Sequence, residues 1–314
     1  MVVMIANNFV GSPVDQVVFD GNSVFIKRDD LLDPAFSGNK ARKLYYLLEN
    51  DDSHAKVISY GSPQSNFLYS LSELAKLKQW KCDFYVDHVP RFLRDNPAGN
   101  YLRARNNGAN IISIHKEKDT LSIEEYINKF VLPEEECALF IPEGGSSPLA
   151  EPGIKKLAEE ITQWAEIEKM DDVKVMLPSG TGTTALYLQK HLDFEVLTCA
   201  CVGANEYLED QFQALSKGAF QHPTILSMQK KHHFGKVYTE FYDIWLSLKK
   251  QTGIEFELLY DPLGWLTLRG YMQVQKNNVE QSNPPPILYI HQGGVLGNDT
   301  MLARYNRMKR MGNK

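Results

Sequence analysis

The stretch Ser37-Gly38-Asn39-Lys40-Ala41-Arg42-Lys43 combines an amine with means of lowering its pKa. Behind it Leu44, Leu47 and Leu48 fall at i, i+3 and i+4, the apolar stripe of a helix that opens at the cationic cluster. Asn39 reads as the N-cap and Gly38 as the turn residue before it. Lys40 then lies in the first helical turn, where free backbone N–H groups and the helix dipole disfavour a cation. The dipole supplies about 0.3–1 kcal/mol, less than one pKa unit, so burial or a neighbouring cation such as Arg42 or Lys43 has to add to it. A lysine so placed can lose its proton and form a Schiff base. The plainer alternative is a solvated basic helix start paired with Asp29 or Asp30.

A second cluster suits an anion. Pro178-Ser179-Gly180-Thr181-Gly182-Thr183-Thr184 joins an apolar strand to a helix expected to start near Ala185. Its glycines let backbone approach a phosphate, and the helix N-terminus presents free N–H groups to it. No Gly-Lys-Ser/Thr ends the turn, so it is not a Walker A loop. Gly180-x-Gly182-x-x-Ala185 meets the loose dinucleotide pattern, but the next strand ends in Cys199-Ala200-Cys201-Val202-Gly203, with no acid before Glu206 for a ribose. A mononucleotide-sized phosphate cofactor is therefore favoured over NAD, against the alternative of an ordinary glycine-rich turn. Gly61-Ser62-Pro63-Gln64-Ser65-Asn66 offers a capping hydroxyl or amide, and Glu143-Gly144-Gly145-Ser146-Ser147-Pro148 and His291-Gln292-Gly293-Gly294 are glycine pairs at strand ends. His291 alone reads as a core histidine and His232-His233 as a solvated pair. The histidine spacings suggest no metal site, and no GxSxG elbow or catalytic triad is apparent.

The elements that must position these residues alternate. Strands are expected at 57–60, 82–86, 110–114, 138–141, 173–177, 195–201, 224–227 and 287–290, with helices between them, which implies βαβ units and parallel sheets. A long amphipathic helix carries Ile154, Leu157, Ile161 and Trp164, and the clearest loop is 281–286. Two open α/β layers result, with the three polar turns after strands 57–60, 173–177 and 287–290 meeting in one cleft. At 314 residues the chain has room for roughly two domains, and 43% hydrophobic with 23% charged residues is ordinary for a globular enzyme. A net charge of -5 argues against nucleic-acid or anionic-membrane partners. No apolar run approaches the length of about 18 residues needed to span a bilayer, and residues 1–8 lack the features of a signal peptide. Cys82, Cys137, Cys199 and Cys201 are expected to be free buried thiols in a reducing cytoplasm.

Taken in order, these motifs resemble the pyridoxal-phosphate (PLP) enzymes related to 1-aminocyclopropane-1-carboxylate (ACC) deaminase and D-cysteine desulfhydrase. The likeness runs from Ile26-Lys27-Arg28-Asp29-Asp30-Leu31 and the Lys40 segment through Gln64-Ser65-Asn66, Pro97-Ala98-Gly99-Asn100, residues 141–148, the 179–184 loop and His291-Gln292-Gly293-Gly294. It implies a tryptophan-synthase-β-like α/β fold of two open parallel-sheet domains. Residues 48–160 would form a small domain inserted into a large one of 1–47 and 161–314. It implies PLP as cofactor, a small amino acid as substrate, and a homodimer, which joins the cytoplasmic location already expected from the cysteines and the N-terminus. Lys40 would be the Schiff-base lysine, Asn66 would bond the cofactor's phenolic oxygen, and Gly180, Thr181, Gly182, Thr183 and Thr184 would hold the phosphate. Ser65 would approach the substrate carboxylate or move a proton; Asn39, Gln64, Trp265 and Gln292 would border the substrate. The chain departs from the family in two places. Where relatives carry Asp-Pro-x-Tyr before a Gly-Lys, the matching segment is read as Tyr260-Asp261-Pro262-Leu263-Gly264-Trp265, so the tyrosine is replaced, the Gly-Lys is missing and the residue facing the pyridine nitrogen is displaced. At His-x-Gly-Gly, desulfhydrases tend to have threonine and ACC deaminases leucine, whereas this chain has Gln292. The reading is a PLP lyase or deaminase that yields a 2-oxo acid and ammonia. Its rivals are a PLP-binding protein without turnover and a nucleotide-linked oxidoreductase.

Overall fold

The computed structural model describes residues 9–33, 36, 38–50, 53–115, 120–228, 230–277 and 284–312. Residues 1–8, Ser37 and 281–283 of the expected loop lie outside these. Two sheets form. The first contains β1 (Val14–Phe19), β2 (Asn22–Lys27), β7 (Lys174–Ser179), β8 (Val196–Ala200), β9 (Thr224–Ile225) and β10 (Ile287–Ile290), in the order β1-β2-β10-β7-β8-β9. The second contains β3 (Lys56–Tyr60), β4 (Lys81–Val86), β5 (Asn110–Ser113) and β6 (Ala138–Phe140), in the order β5-β4-β3-β6 and parallel throughout. The helices are α1 (Asn39–Glu49), α2 (Asn66–Lys78), α3 (Arg91–Asp95), α4 (Gly99–Asn106), α5 (Ile123–Tyr126), α6 (Glu151–Ile167), α7 (Thr183–His191), α8 (Asn205–Ser216), α9 (Thr239–Thr252), α10 (Asp261–Asn277) and α11 (Asn298–Gly312). The eight expected strands are all present within a few residues. The larger sheet is not purely parallel, because β1, which the apolar runs do not reveal, pairs antiparallel with β2.

Helices cover both faces of the larger sheet, as continuous apolar strands require. One face packs Met176, Leu197 and Tyr289 against Trp245, Trp265 and Leu268 of α9 and α10; the other packs Val175, Leu177 and Leu288 against Ile154, Leu157 and Ile161 of α6. Leu44, Leu47 and Leu48 of α1 join Phe67, Leu68 and Leu71 of α2 in the core of the smaller sheet, so the stripe read behind Lys40 is a buried face. Of the four cysteines, Cys82, Cys199 and Cys201 are buried, but Cys137 is exposed in the turn before β6. His232 is not solvated either: its side chain is nearly inaccessible, packed on Tyr238 and Phe241 with Nε2 beside Glu240.

The basic start of α1 divides its charges. Arg42 is fully buried and donates from Nε and Nη2 to both oxygens of Asp29, at 3.1 and 2.8 Å, and from both Nη atoms to Glu160 of α6, at 2.6 and 2.9 Å. Lys27 at the end of β2 adds an ion pair to Glu160 at 2.6 Å, and Ser12 Oγ donates to Asp29 at 2.6 Å. The pairing expected with Asp29 is thus made by Arg42 and not by Lys40. Removing one partner from such a network leaves a buried charge uncompensated. Arg42→Met is expected to destabilise the protein by about 3–5 kcal/mol in urea unfolding; a loss below about 1 kcal/mol would show that the network does not hold α1.

Candidate active site

α1 begins one residue earlier than the cap reading allowed. Gly38 is the N-cap, with φ of 74° and ψ of −155°, and Asn39 is already helical. A Cβ on Gly38 would lie 1.5 Å from the carbonyl oxygen of Gln292, so only glycine lets the chain pass there. Asn39 N donates to that same carbonyl at 3.1 Å, and Asn39 Nδ2 donates to Gln292 Oε1 at 2.8 Å. Gln292 Nε2 in turn donates to the carbonyl of Pro178 at 2.7 Å. One amide therefore ties the Lys40 segment to the loop after β10 and to the end of β7.

These contacts close a cavity of about 450 Å³ at the carboxyl ends of β3, β7 and β10, where open α/β sheets gather ligands. Asn39, Lys40, Gln64, Ser65, Asn66, Gly180, Thr181, Gly182, Thr183, Thr184 and Gln292 all line it, so the three turns meet as expected. Trp265 does not. It has no exposed surface, stacks on Tyr289 at 4.5 Å and meets Phe19 and Phe256 edge-on in the core of the larger sheet.

That misplacement comes from the register drawn through Asp261-Pro262. In that register the tyrosine position falls on Gly264, inside α10, where a Cβ would lie 2.6 Å from Tyr289 Oη. The proline belongs instead to the first turn of α10, a position proline suits. Four residues earlier, Glu257-Leu258-Leu259-Tyr260 repeats the spacing of an acid followed three residues on by a tyrosine, and both Glu257 and Tyr260 line the cavity. Tyr260 therefore brings a tyrosine to the cavity wall, which Tyr207 also lines; the Tyr260 ring lies 3.2 Å from where a Cβ on Gly180 would be. Glu257 accepts backbone N–H groups from Leu259, Tyr260 and Asp261, and Asp261 Oδ2 accepts the N–H of Glu257. Burial raises the pKa of both acids against those hydrogen bonds, to about 7 for Glu257, and the nearby Glu257 charge raises that of Asp261 further.

Lys40 makes no salt bridge among the described residues. Burial lowers its pKa to about 8 against the attraction of Glu257 and Glu143. Lys43 lies one turn on, where the sequence shows only a neighbouring charge. It too lines the cavity, donating to the Gly144 carbonyl at 2.9 Å and to Thr181 Oγ1 at 3.4 Å. Burial first, and Lys40 second, push its pKa well down. Its spacing of i+3 from Lys40 on a helix was the available signal.

The 180–184 turn forms an anion cradle. Gly182 caps α7 with φ of 71°, and α7 starts at Thr183 rather than near Ala185. Thr181 Oγ1 and Thr183 Oγ1 are 3.0 Å apart, and Thr183 Oγ1 donates to Ser146 Oγ at 3.0 Å. Among the described residues, Thr184 Oγ1 is buried with no hydrogen-bond partner. An orphaned hydroxyl, a helix N-terminus and the Lys43 amine together fit a phosphate group.

On the opposite side Ser65 caps α2, accepting N–H groups from Phe67 at 3.0 Å and Leu68 at 3.3 Å, which leaves its own proton to donate. Asn100 donates to Asn66 Oδ1 at 2.7 Å, turning the Asn66 amide nitrogen free as a donor. His291 lies behind the site, stacked on Phe256, with Nδ1 accepting from Gly293 N; burial lowers its pKa, so it is the core residue anticipated.

No family model matches the chain. It is similar to a bifunctional D-cysteine desulfhydrase/ACC deaminase of Arabidopsis thaliana mitochondria, 27% identical over 299 residues that cover 88% of this chain and 74% of the relative. A putative ACC deaminase of Pyrococcus furiosus is 23% identical over 295 residues, covering 88% and 86%. Among solved structures, an ACC deaminase homologue superposes with a TM-score of 0.71 at 22% identity, over 96% of this chain and 98% of its own. A serine racemase of Dictyostelium discoideum gives 0.63 at 14% identity, over 93% and 95%. The fold is thus that of the tryptophan-synthase-β-like enzymes.

The lowered Lys40 pKa has a direct readout. Deprotonation creates the nucleophile, so labelling of Lys40 by an aldehyde probe should rise with pH around a midpoint of about 8. An exposed lysine would titrate at about 10.4. Peptide mapping across pH 6–11 checks the site; a midpoint near the exposed value would remove the case for an activated amine.

Proposed function

We propose that this chain, a relative of the PLP-dependent ACC deaminases and D-cysteine desulfhydrases, is a lyase or deaminase acting on a small amino acid. The products would be a 2-oxo acid and ammonia, with sulfide where D-cysteine is the substrate. The observation that carries the reading is one cavity holding both a deprotonatable lysine and, on facing elements, a phosphate cradle with an orphaned hydroxyl.

Bound PLP supplies an electron sink for the carbanion next to the substrate amino group. Lys40 would attach it covalently. Lys43, the N–H groups at the start of α7 and the hydroxyls of Thr181, Thr183 and Thr184 would hold its phosphate, with Gly180 and Gly182 letting the backbone approach. Asn66 would donate to its phenolic oxygen. Tyr260, whose ring lies beside Gly180, would cover the cofactor, and Asp261, the residue after it, would take the position that faces the pyridine nitrogen in relatives. Lys40 would be the base for the α- or β-proton, since with a pKa of about 8 roughly a tenth of it is neutral at pH 7, against under about a thousandth of an exposed lysine. Ser65 would offer its proton to the substrate carboxylate. Asn39 and Gln292 are occupied with each other and with Pro178, so their part is to keep the cavity in shape.

Cytoplasmic location and a homodimer belong to the same proposal; no helix among the described residues is long and apolar enough to cross a membrane. So does the division into 1–47 with 161–314 and 48–160, supported by β3 to β6 falling within the latter range.

A visible spectrum before and after borohydride, with peptide mapping, tests the reading. A yellow protein bleached by borohydride and labelled at Lys40 is the expected result, and Lys40→Ala should abolish turnover. A colourless protein that refuses added PLP would refute it. Lys43→Ala should weaken PLP binding by about 10- to 100-fold, the effect of losing one charged hydrogen bond, while borohydride labelling stays at Lys40.

A further inference from the structure

The cavity wall carries three cations, Lys40, Lys43 and Arg304. The function proposed above, on which this inference rests, uses two of them: Lys40 meets the cofactor aldehyde and Lys43 its phosphate. Arg304 has neither task. It projects from α11, on the wall it shares with Thr300 and Met301, whereas the cradle is built from α1, α7 and the turns at 144 and 181. Its side chain is half-buried, and the contact it makes is from Nη1 to the thioether of Met301 at 3.3 Å, a weak acceptor. Among the described residues it forms no ion pair. Of the acids lining the cavity, Glu257 accepts three backbone N–H groups, Asp261 accepts the Glu257 N–H and the Tyr289 hydroxyl, and Glu143 attracts Lys40.

A guanidinium cannot shed its charge at any working pH, and its planar fork matches a carboxylate with two parallel hydrogen bonds. The function proposed above assigns the substrate's α-carboxylate to the Ser65 hydroxyl at the start of α2, away from Arg304 on α11. We propose that Arg304 binds a second anionic group on the substrate, so that the preferred amino acid carries a carboxylate on its side chain. This makes Arg304 a specificity determinant acting through direct contact.

The test titrates the PLP-loaded protein with D- and L-aspartate and with their neutral isosteres, D- and L-asparagine, following the shift of the visible band, which needs no turnover. Aspartate of one configuration should half-saturate at about 10- to 100-fold lower concentration than the amide, the range for a charged hydrogen-bonded pair. R304Q should bring aspartate to the level of asparagine, and R304K should restore part of the difference as a point charge. Equal half-saturation of acid and amide in the wild-type protein overturns the inference while leaving the cofactor reading intact. So does a preference for the acid that survives R304Q. If R304Q does not fold, the wild-type comparison decides. Failure to bind PLP at all overturns both.

Discussion

The buried ion-pair network around Arg42 is the constraint on which the site depends. It joins the chain after β2 through Asp29, the end of β2 through Lys27, and α6 through Glu160 to the helix that carries the reactive lysine. Charges taken out of water this completely cost several kcal/mol each unless their partners are held in good geometry. The arrangement therefore tolerates little rotation of α1. That rigidity is inherited by Lys40 two residues before Arg42 and by Lys43 immediately after it. Since helix positions one and two residues apart point in different directions while positions three apart share a face, fixing Arg42 into the protein aims Lys40 and Lys43 together toward the cavity.

The electrostatics of the cavity follow from the same placement. Two amines on adjacent turns of one helix, both enclosed, cannot both be charged without a counter-ion, and burial pushes each toward its neutral form. Glu257 and Asp261 sit across from them but spend most of their acceptor capacity on the backbone turn leading into α10. A dianion at the head of α7 would restore the charge of Lys43 and leave Lys40 as the neutral amine. The two lysines thus differentiate by what each faces, although sequence presents them as equivalent members of a basic run.

What the sequence made legible, and what it hid, follow physical lines. Buried parallel strands announce themselves as short apolar runs, and the turns at their carboxyl ends carry the glycines and hydroxyls that packing does not need; hence the three turns could be brought to one cleft. Strand β1 was hidden because it is an edge strand, half in solvent, with Asp15 and Gln16 breaking its apolar pattern. Trp265 was drawn into the site by a motif register that a proline made attractive. The space filled by its indole, between Phe19, Phe256 and Tyr289, involves residues up to 246 positions away and has no local signature. Tyr260 and Glu257 were missed for the same reason, since the acid-x-x-Tyr spacing survives there without its proline. Arg304 gave no signal at all: its significance is a missing partner, which only three dimensions reveal.

The position of β10 has a consequence for how the protein is made. This strand is the last in the chain, yet it lies between β2 and β7 in the middle of the larger sheet, and its following loop supplies the carbonyl that receives Asn39. Until it leaves the ribosome, β2 and β7 each offer an open hydrogen-bonding edge lined by apolar side chains, the template on which strands from other chains aggregate. The smaller sheet, whose strands are contiguous from β3 to β6, has no such wait. Biosynthesis therefore passes through a half-built molecule in which one sheet can be complete and the other is split, with Lys40 exposed at the gap. The chain is therefore most open to aggregation during synthesis between β7 and β10, and truncations that remove β10 are expected to be insoluble rather than inactive soluble fragments.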